Sequence, residues 1–240
     1  MTLMMNPRQT VRLPGGSRSR RMKRAPPPVP LRLSPYAWAK LVFLRDLGPT
    51  EVGGFGISRA DDPLLVDDFC LVGQSCTGMS VHFDDSSVAD YFDSQVDQGR
   101  TPEQFARIWI HTHPGSSPMP SSTDEATFFR CFGAADWSVM FILACGGRTY
   151  ARLHLRAGPG GNLLLPIELD FTQPFPGASP AAWETEYGDN VSWGSGRIES
   201  PPPSSPCVPR NELCELTEPW FEDPHFRPLA APLSWEVLDG

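Results

Sequence analysis

Residues 108–124, IWIHTHPGSSPMPSSTD, run from an apolar segment into a proline-broken loop and on into a helical pattern. The consecutive apolar residues Ile108-Trp109-Ile110 are typical of a buried central strand, so we predict a strand over residues 105–111. Side chains alternate along an extended segment, and His111 and His113 therefore project to the same side. The stretch predicts a buried strand whose carboxyl end carries two imidazoles on one face.

Three prolines restrict the loop that follows, and they favour a chain that returns towards the histidines. Ser122 or Ser121 can cap the next helix, in which Asp124 and Glu125 occupy the first turn. Asp124 is then the expected third ligand beside the two histidines. Two imidazoles and one carboxylate suit Zn²⁺, and three protein ligands leave a fourth position open, as catalytic zinc sites require.

Regular patterns extend outward from this stretch in both directions. Ser34 and Pro35 predict the cap and first turn of a helix that ends before Gly48. Further strands are expected at residues 51–57, 64–72 and 78–83, which together suggest a meander, and at 138–145, 150–155 and 163–171, with another helix at 86–98. This order predicts an α+β protein, a three-layer α-β-α sandwich with a mixed central sheet.

Proline content divides the chain of 240 residues into three parts. Eighteen of the 27 prolines lie outside residues 31–172, which we therefore predict to be the folded domain. Residues 1–30 are predicted to form a basic, disordered tail. Residues 173–240 form a Pro-rich acidic extension whose aromatic residues either pack back onto the domain or dock to a partner, and these include Trp183, Trp193, Trp220 and Trp235.

Charge is distributed just as unevenly. Residues 8–24 contain seven basic and no acidic side chains, which leaves 13 basic against 28 acidic residues elsewhere. This balance argues against nucleic-acid binding by the domain itself, although the basic tail could bind nucleic acid or a membrane surface. No apolar run approaches the length of about 18 residues that a membrane span needs, and the N-terminus lacks a secretory pattern. We therefore expect a cytoplasmic protein.

Other reactive side chains give weaker patterns. Cys70, Cys131 and Cys145 lie in apolar stretches and are predicted to be buried thiols, so a cysteine nucleophile paired with His154 has little support. A metal knuckle also has little support, because it uses a pair of closely spaced cysteines. The candidate group Cys207, Cys214 and His225 has no such pair. A Gly-rich phosphate loop with its lysine is also missing, which argues against nucleotide hydrolysis.

The spacing His-x-His, seven residues, Ser, two residues, Asp at positions 111–124 resembles the signature of the JAMM metalloproteases, also called MPN+ or JAB. The family places a glutamate, an apolar residue and a glycine on an early strand, and Glu51-Val52-Gly53 is similar. The resemblance spans roughly residues 34–172. It implies the MPN/JAB sandwich, which is cytidine-deaminase-like, with Zn²⁺ held by His111, His113 and Asp124. It also implies catalytic roles for Glu51, as the general base, and for Ser121, which would orient the water or bind the oxyanion.

This resemblance implies zinc-dependent hydrolysis of a peptide or isopeptide bond, usually at the C-terminal tail of ubiquitin or a ubiquitin-like protein. The substrate would then be such a modifier or its conjugate, and activating or conjugating enzymes of the same pathway would be partners. Residues 122–138 leave no room for a long insertion, which favours a short, bacterial-like member. The alternatives are a peptidase that acts on a sulfur-carrier protein or a cell-wall peptide, and a non-catalytic MPN scaffold.

Overall fold

A computed structural model describes residues 28–193, in which five α-helices accompany eleven strands. The helices are α1 (Pro35–Asp46), α2 (Asp85–Asp97), α3 (Pro102–Phe105), α4 (Ser122–Phe132) and α5 (Pro180–Asn190). The strands are β1 (Leu31–Leu33), β2 (Gly53–Ser58), β3 (Leu65–Leu71), β4 (Gln74–Cys76), β5 (Val81–Phe83), β6 (Ile108–His113), β7 (Trp137–Ala144), β8 (Thr149–Leu155), β9 (Gly161–Leu164), β10 (Ile167–Leu169) and β11 (Val191–Trp193).

Eight strands form one mixed sheet in the order β10-β1-β3-β2-β6-β7-β8-β9. Strand β6 lies in the interior of this sheet, antiparallel to β2 and parallel to β7. The remaining strands form a small second sheet in the order β11-β4-β5. The predicted mixed sheet and the buried strand that carries the two histidines are thus confirmed.

Helices cover both faces of the large sheet, as the alternating side chains of β7 show. Val139, Phe141 and Leu143 share one core cluster with residues of α1 and α5. Met140 and Ile142 belong to a second cluster, which contains residues of α2 and α4. A sheet buried on both faces needs apolar residues at consecutive positions, and this explains the unbroken apolar sequence of β7.

Local signals predicted the helix starts well. The Ser34 side chain accepts a hydrogen bond from the Ala37 N–H at 3.1 Å, and Pro35 occupies the first turn of α1, as expected. The meander was wrong, because only β2 and β3 pair with each other, whereas β5 joins the second sheet. The single strand predicted over 163–171 is instead two strands, β9 and β10, which are separated at Pro166, a residue without an N–H for a strand ladder.

The folded body continues beyond residue 172, the predicted end of the domain. Helix α5 packs against α1, and its Trp183 and Tyr187 side chains are buried in the core. The Lys40 ammonium group lies 2.7 Å from a Glu186 carboxylate oxygen and ties the two helices together. The aromatic packing expected for this region is therefore present at α5.

Several predicted features lie outside the described residues. They are the basic segment 8–24, the group formed by Cys207, Cys214 and His225, and the aromatic residues Trp220 and Trp235. Within residues 28–193, no helix has both the length and the apolar character that crossing a bilayer requires.

We predict that Gly54→Ala destabilises the fold by about 1–3 kcal/mol, because its new Cβ would clash with the Cys70 carbonyl oxygen on the neighbouring strand. Gly78→Ala is the matched control, since a Cβ there meets no atom within 4 Å. Urea unfolding of both variants and the unchanged chain measures the difference. Equal loss of stability in the two variants would contradict the close approach of β2 and β3.

Candidate metal centre

The two histidines of β6 occupy the same face of the strand, as their spacing predicts. His111 is completely buried and its ring stacks on the Trp109 ring, with 4.2 Å between the ring centroids. The ring of His113 lies 5.2 Å from that of His111, at the outer end of the strand. The site is therefore closed on the Trp109 side and opens towards the strand end.

Asp124 reaches the histidines because its helix is capped by a reciprocal pair of hydrogen bonds. The Asp124 N–H donates to the Ser121 side chain at 3.2 Å, and the Ser121 N–H donates to Asp124 Oδ2 at 2.7 Å. This capping box holds the carboxylate at the start of α4. Its two oxygens lie 3.4 Å from His111 Nε2 and 3.6 Å from His113 Nε2.

His111, His113 and Asp124 thus form a group that could hold a metal ion, with ligand atoms within 4.8 Å of one another. Their predicted convergence is confirmed. Neither ring nitrogen of His111 has a hydrogen-bond partner, and His113 Nε2 also lacks one, although all three atoms are buried. Because a buried polar atom without a partner costs about 1–3 kcal/mol, a cation bound by one nitrogen of each histidine would relieve part of the deficit.

The second nitrogen of His113 fixes the tautomer that ligation requires. His113 Nδ1 lies 2.9 Å from the Ser117 carbonyl oxygen, which can only accept, so Nδ1 is the donor. In the neutral ring the lone pair then lies on Nε2, the nitrogen that faces Asp124. The proline-broken loop therefore orients one predicted ligand as well as returning the chain.

Glu51 joins this group through the register of β2 and β6. Gly53 pairs with His111 in the antiparallel ladder, and the same register two residues earlier places Glu51 opposite His113. Glu51 Oε1 lies 3.8 Å from His113 Nε2, whereas Glu51 Oε2 is buried without a hydrogen-bond partner. Glu51, a predicted site residue, therefore lies beside the group formed by His111, His113 and Asp124, and its Oε2 atom has no hydrogen-bond partner.

Burial shapes the ionisation of Glu51 and His111. Desolvation and the nearby Asp124 charge together raise the pKa of Glu51 to about 7, against the opposing effect of His113. Desolvation also lowers the pKa of His111, which favours the neutral imidazole that binds metals.

Asp124 and His113 stabilise each other's charged forms. Burial alone would raise the pKa of Asp124, but its close contacts with the two imidazoles and the hydrogen bond from the Ser121 N–H hold it well below its usual range. Burial would lower the pKa of His113, but Asp124, the Ser117 carbonyl and Glu51 together raise it. A bound dication would replace the proton of His113 and favour the carboxylate form of Glu51.

Ser121, and not Ser122, is the N-cap of α4. The sequence left both serines open as the cap, and the hydrogen bond from the Ser121 N–H to Asp124 selects the earlier one. The Ser121 oxygen accepts a hydrogen bond from the helix, and its hydroxyl proton stays available for another acceptor. Its predicted catalytic role stays a prediction.

The alternative cysteine nucleophile gains no support from the geometry. Cys131 is exposed on α4, so its predicted burial was wrong, because it lies beside the buried face that Phe128 and Phe132 form and not on it. The Cys145 thiol contacts the Pro114 carbonyl oxygen at 3.0 Å. His154 Nδ1 lies 3.0 Å from the Asn162 side-chain oxygen.

Sequence patterns missed two side chains that support the site. Thr112 lies between the two histidines, and its hydroxyl accepts a hydrogen bond from the Val52 N–H at 3.1 Å. Gln74 binds the backbone of Gly53 through its side-chain amide. A threonine within the His-x-His pattern could have been suspected, but no local signal distinguishes Gln74.

Comparisons with protein-family models and with curated proteins give no match for this chain. The assignment of the site therefore depends on its own residues and geometry.

We predict that the chain binds about one divalent transition-metal ion, and that His113→Ala removes it by leaving two ligands in place of three. The control is His154→Ala, which removes an imidazole on β8 that is not part of the three-residue group. Metal content after dialysis, measured by plasma mass spectrometry, decides the assignment. Undiminished metal in His113→Ala would contradict it.

Proposed function

We propose that this chain is a zinc-dependent peptidase of the JAMM type, which hydrolyses a peptide or isopeptide bond at the C-terminal tail of a ubiquitin-like modifier. The observation that carries the proposal is the position of Glu51, a buried carboxylate with one unpartnered oxygen beside the His111, His113 and Asp124 group. A structural metal site would not need such a neighbour. The MPN/JAB fold is part of the same proposal, supported by the mixed sheet with helices on both faces.

The ligand chemistry fits Zn²⁺. Two imidazole nitrogens and one carboxylate match its preferred donors, and three protein ligands leave a position for water or substrate. His111 Nε2, His113 Nε2 and the Asp124 carboxylate would hold the ion. When bound, zinc acts as a Lewis acid and lowers the pKa of a coordinated water to about 7.

Glu51 is suited to move the proton. Its buried environment excludes bulk water, and its Oε2 atom has no competing hydrogen bond. A carboxylate in this position can accept the proton of the attacking water and deliver it to the leaving amine nitrogen. The N–H of Val52, the next residue, donates to the Thr112 hydroxyl on β6. This bond helps to hold Glu51 at a fixed distance from the two histidines of β6.

Ser121 supplies the remaining polar group. Its oxygen is already bonded to the Asp124 N–H, which orients the hydroxyl at the edge of the site. The free hydroxyl proton can bind the oxyanion that develops on the scissile carbonyl. A donor of this kind contributes roughly 2.7–4 kcal/mol when the contact is made in the transition state.

A groove of about 500 Å³ lies on the far side of Trp109 from His111. It runs between α4 and the β5–α2 region, and it is lined by Phe55, Phe83, Trp109, Thr123 and Thr127 among others. Trp109, which stacks on His111, and Thr123, which precedes Asp124 in the chain, are the lining residues nearest to the site, whereas His111, His113, Asp124 and Glu51 do not line the groove.

The modifier's activating or conjugating enzymes are the partners that this function would require. A reducing compartment such as the cytoplasm is the proposed location, supported by the free thiols of Cys70, Cys76, Cys131 and Cys145.

We predict that Glu51→Gln keeps the metal but lowers turnover at least about 100-fold, because the amide cannot accept the proton. The assay uses zinc-loaded protein with a panel of ubiquitin-like fusions and locates the cut by intact mass. The matched control, Glu168→Gln, changes an exposed glutamate on β10. Full activity of Glu51→Gln would mean that another base operates, and no cleavage of any fusion by the unchanged chain would contradict the substrate class.

Ser121→Ala should slow cleavage by about 10²–10³-fold with little change in metal content. It also removes the cap of α4, which reduces the stability of the fold by about 1 kcal/mol. Ser122→Ala changes the residue at the adjacent first helical position. It should alter the cleavage rate and the stability of the fold little. Loss of zinc from Ser121→Ala would instead assign the serine a purely structural role.

A further inference from the structure

Gln74 on β4 is a buried glutamine whose side-chain amide is fully engaged with backbone groups. Its Oε1 accepts a hydrogen bond from the Gly53 N–H at 2.8 Å, and its Nε2 donates to the Gly53 carbonyl at 2.7 Å. The same Nε2 donates to the Val72 carbonyl at 2.8 Å. One side chain thus satisfies both polar groups of Gly53.

These bonds begin where the pairing of β2 and β3 ends. The β2–β3 ladder runs from Ser58 to Gly54, which pairs with Leu71. On one side, Gly53 pairs with His111 of β6. On the other side, it has no partner in β3. The Gln74 amide supplies there the acceptor and the donor that another strand residue would supply, so it extends the ladder by one residue.

We propose that Gln74 is a positioning residue for the reaction, which holds Gly53 and through it places Glu51 beside His113. The inference rests on the proposed function. Glu51 lies two residues before Gly53 on the same chain, and its 3.8 Å approach to His113 depends on the β2–β6 register continuing to that point. The Glu51 N–H donates to the carbonyl oxygen of Thr77, the residue after β4, at 2.9 Å, so β4 and the residue after it hold this strand end at both Gly53 and Glu51, and loss of the Gln74 bonds would loosen it.

Gln74 is itself held by a segment outside the region that resembles JAMM proteases. Strand β11 pairs with β4 in parallel, with Val191 opposite Gln74, and the Ser192 hydroxyl donates to the Gln74 carbonyl at 2.8 Å. Helix α5, which directly precedes β11, is fixed in the core by Trp183 and Tyr187. Residues 180–193 therefore help to hold Gln74, and through Gln74 they help to position Glu51. This gives the segment a role in the proposed reaction.

The role requires a donor and an acceptor on the same group. Gln74→Met keeps the length of the side chain but removes both hydrogen-bonding functions. Gln74→Glu keeps an acceptor for the Gly53 N–H, yet it brings a carboxylate towards the Gly53 and Val72 carbonyl oxygens, which have lost their donor. Both variants should therefore displace Glu51, whereas Gln98→Met, a change at an exposed position beyond α2, should not.

The test measures zinc content, Gly53 amide exchange by NMR, and kcat and KM on a cleaved modifier fusion. We expect the Gln74 variants to retain zinc, to exchange the Gly53 amide at least about 10-fold faster, and to lose about 10–100-fold in kcat, with KM changed less than about 3-fold. Ser192→Ala, which keeps the Gln74 amide and removes one bond to its backbone, should give a smaller loss of kcat, and it serves as the test if the Gln74 variants do not fold.

A kcat equal to that of the unchanged chain in folded Gln74 variants would overturn the inference. If the Gln74 variants do not fold, an unchanged kcat in Ser192→Ala would overturn it. Loss of zinc together with kcat would also overturn it, because Gln74 would then support the ligands rather than the base. Absence of turnover in the unchanged, zinc-loaded chain would count against the proposed function instead. In that case Gly53 exchange and the crystallographic Glu51–His113 distance in Gln74→Met still decide whether Gln74 places Glu51.

Discussion

The antiparallel register between β2 and β6 is the constraint on which the site depends. It sets Gly53 of β2 opposite His111 of β6. The same register places Glu51, two residues before Gly53, opposite His113. A slip of one residue would turn Glu51 to the other face of the sheet and separate it from both imidazoles. Close packing between the two strands supports the register, because a Cβ at Gly56 would lie 3.1 Å from the side chains of Ile108 and Ile110 on β6.

The resulting cluster is poorly satisfied by protein atoms alone. Two carboxylates and two imidazoles share a small buried volume, where His111 keeps two unpartnered nitrogens, while His113 Nε2 and Glu51 Oε2 also lack partners. Burial pushes the pKa of Glu51 up, whereas the imidazoles hold that of Asp124 down, so the two carboxylates have different chemical roles. Asp124 is the permanent anion that a cation needs, and Glu51 is the group able to exchange a proton.

Local chemistry made much of the site predictable. Strand alternation placed His111 and His113 on one face, and helix capping returned Asp124 to them, because both effects act over a few residues. The choice between Ser121 and Ser122 was beyond local reasoning, since both have the same hydroxyl and only the path of the loop distinguishes them. The second sheet, the packing of α5 and the Gln74–Gly53 bonds depend on contacts between distant segments, and no short pattern encodes such pairings.

The central claim is that one metal ion lies between His111, His113 and Asp124 with Glu51 beside it. Anomalous diffraction at the zinc edge from crystals of the zinc-loaded chain tests it most directly. We expect a single strong peak within about 2.0–2.2 Å of His111 Nε2, His113 Nε2 and an Asp124 oxygen, with Glu51 outside bonding distance of the ion. A peak at another position, or imidazoles turned away from Asp124 with no peak between them, would show that His111, His113 and Asp124 do not form a metal centre.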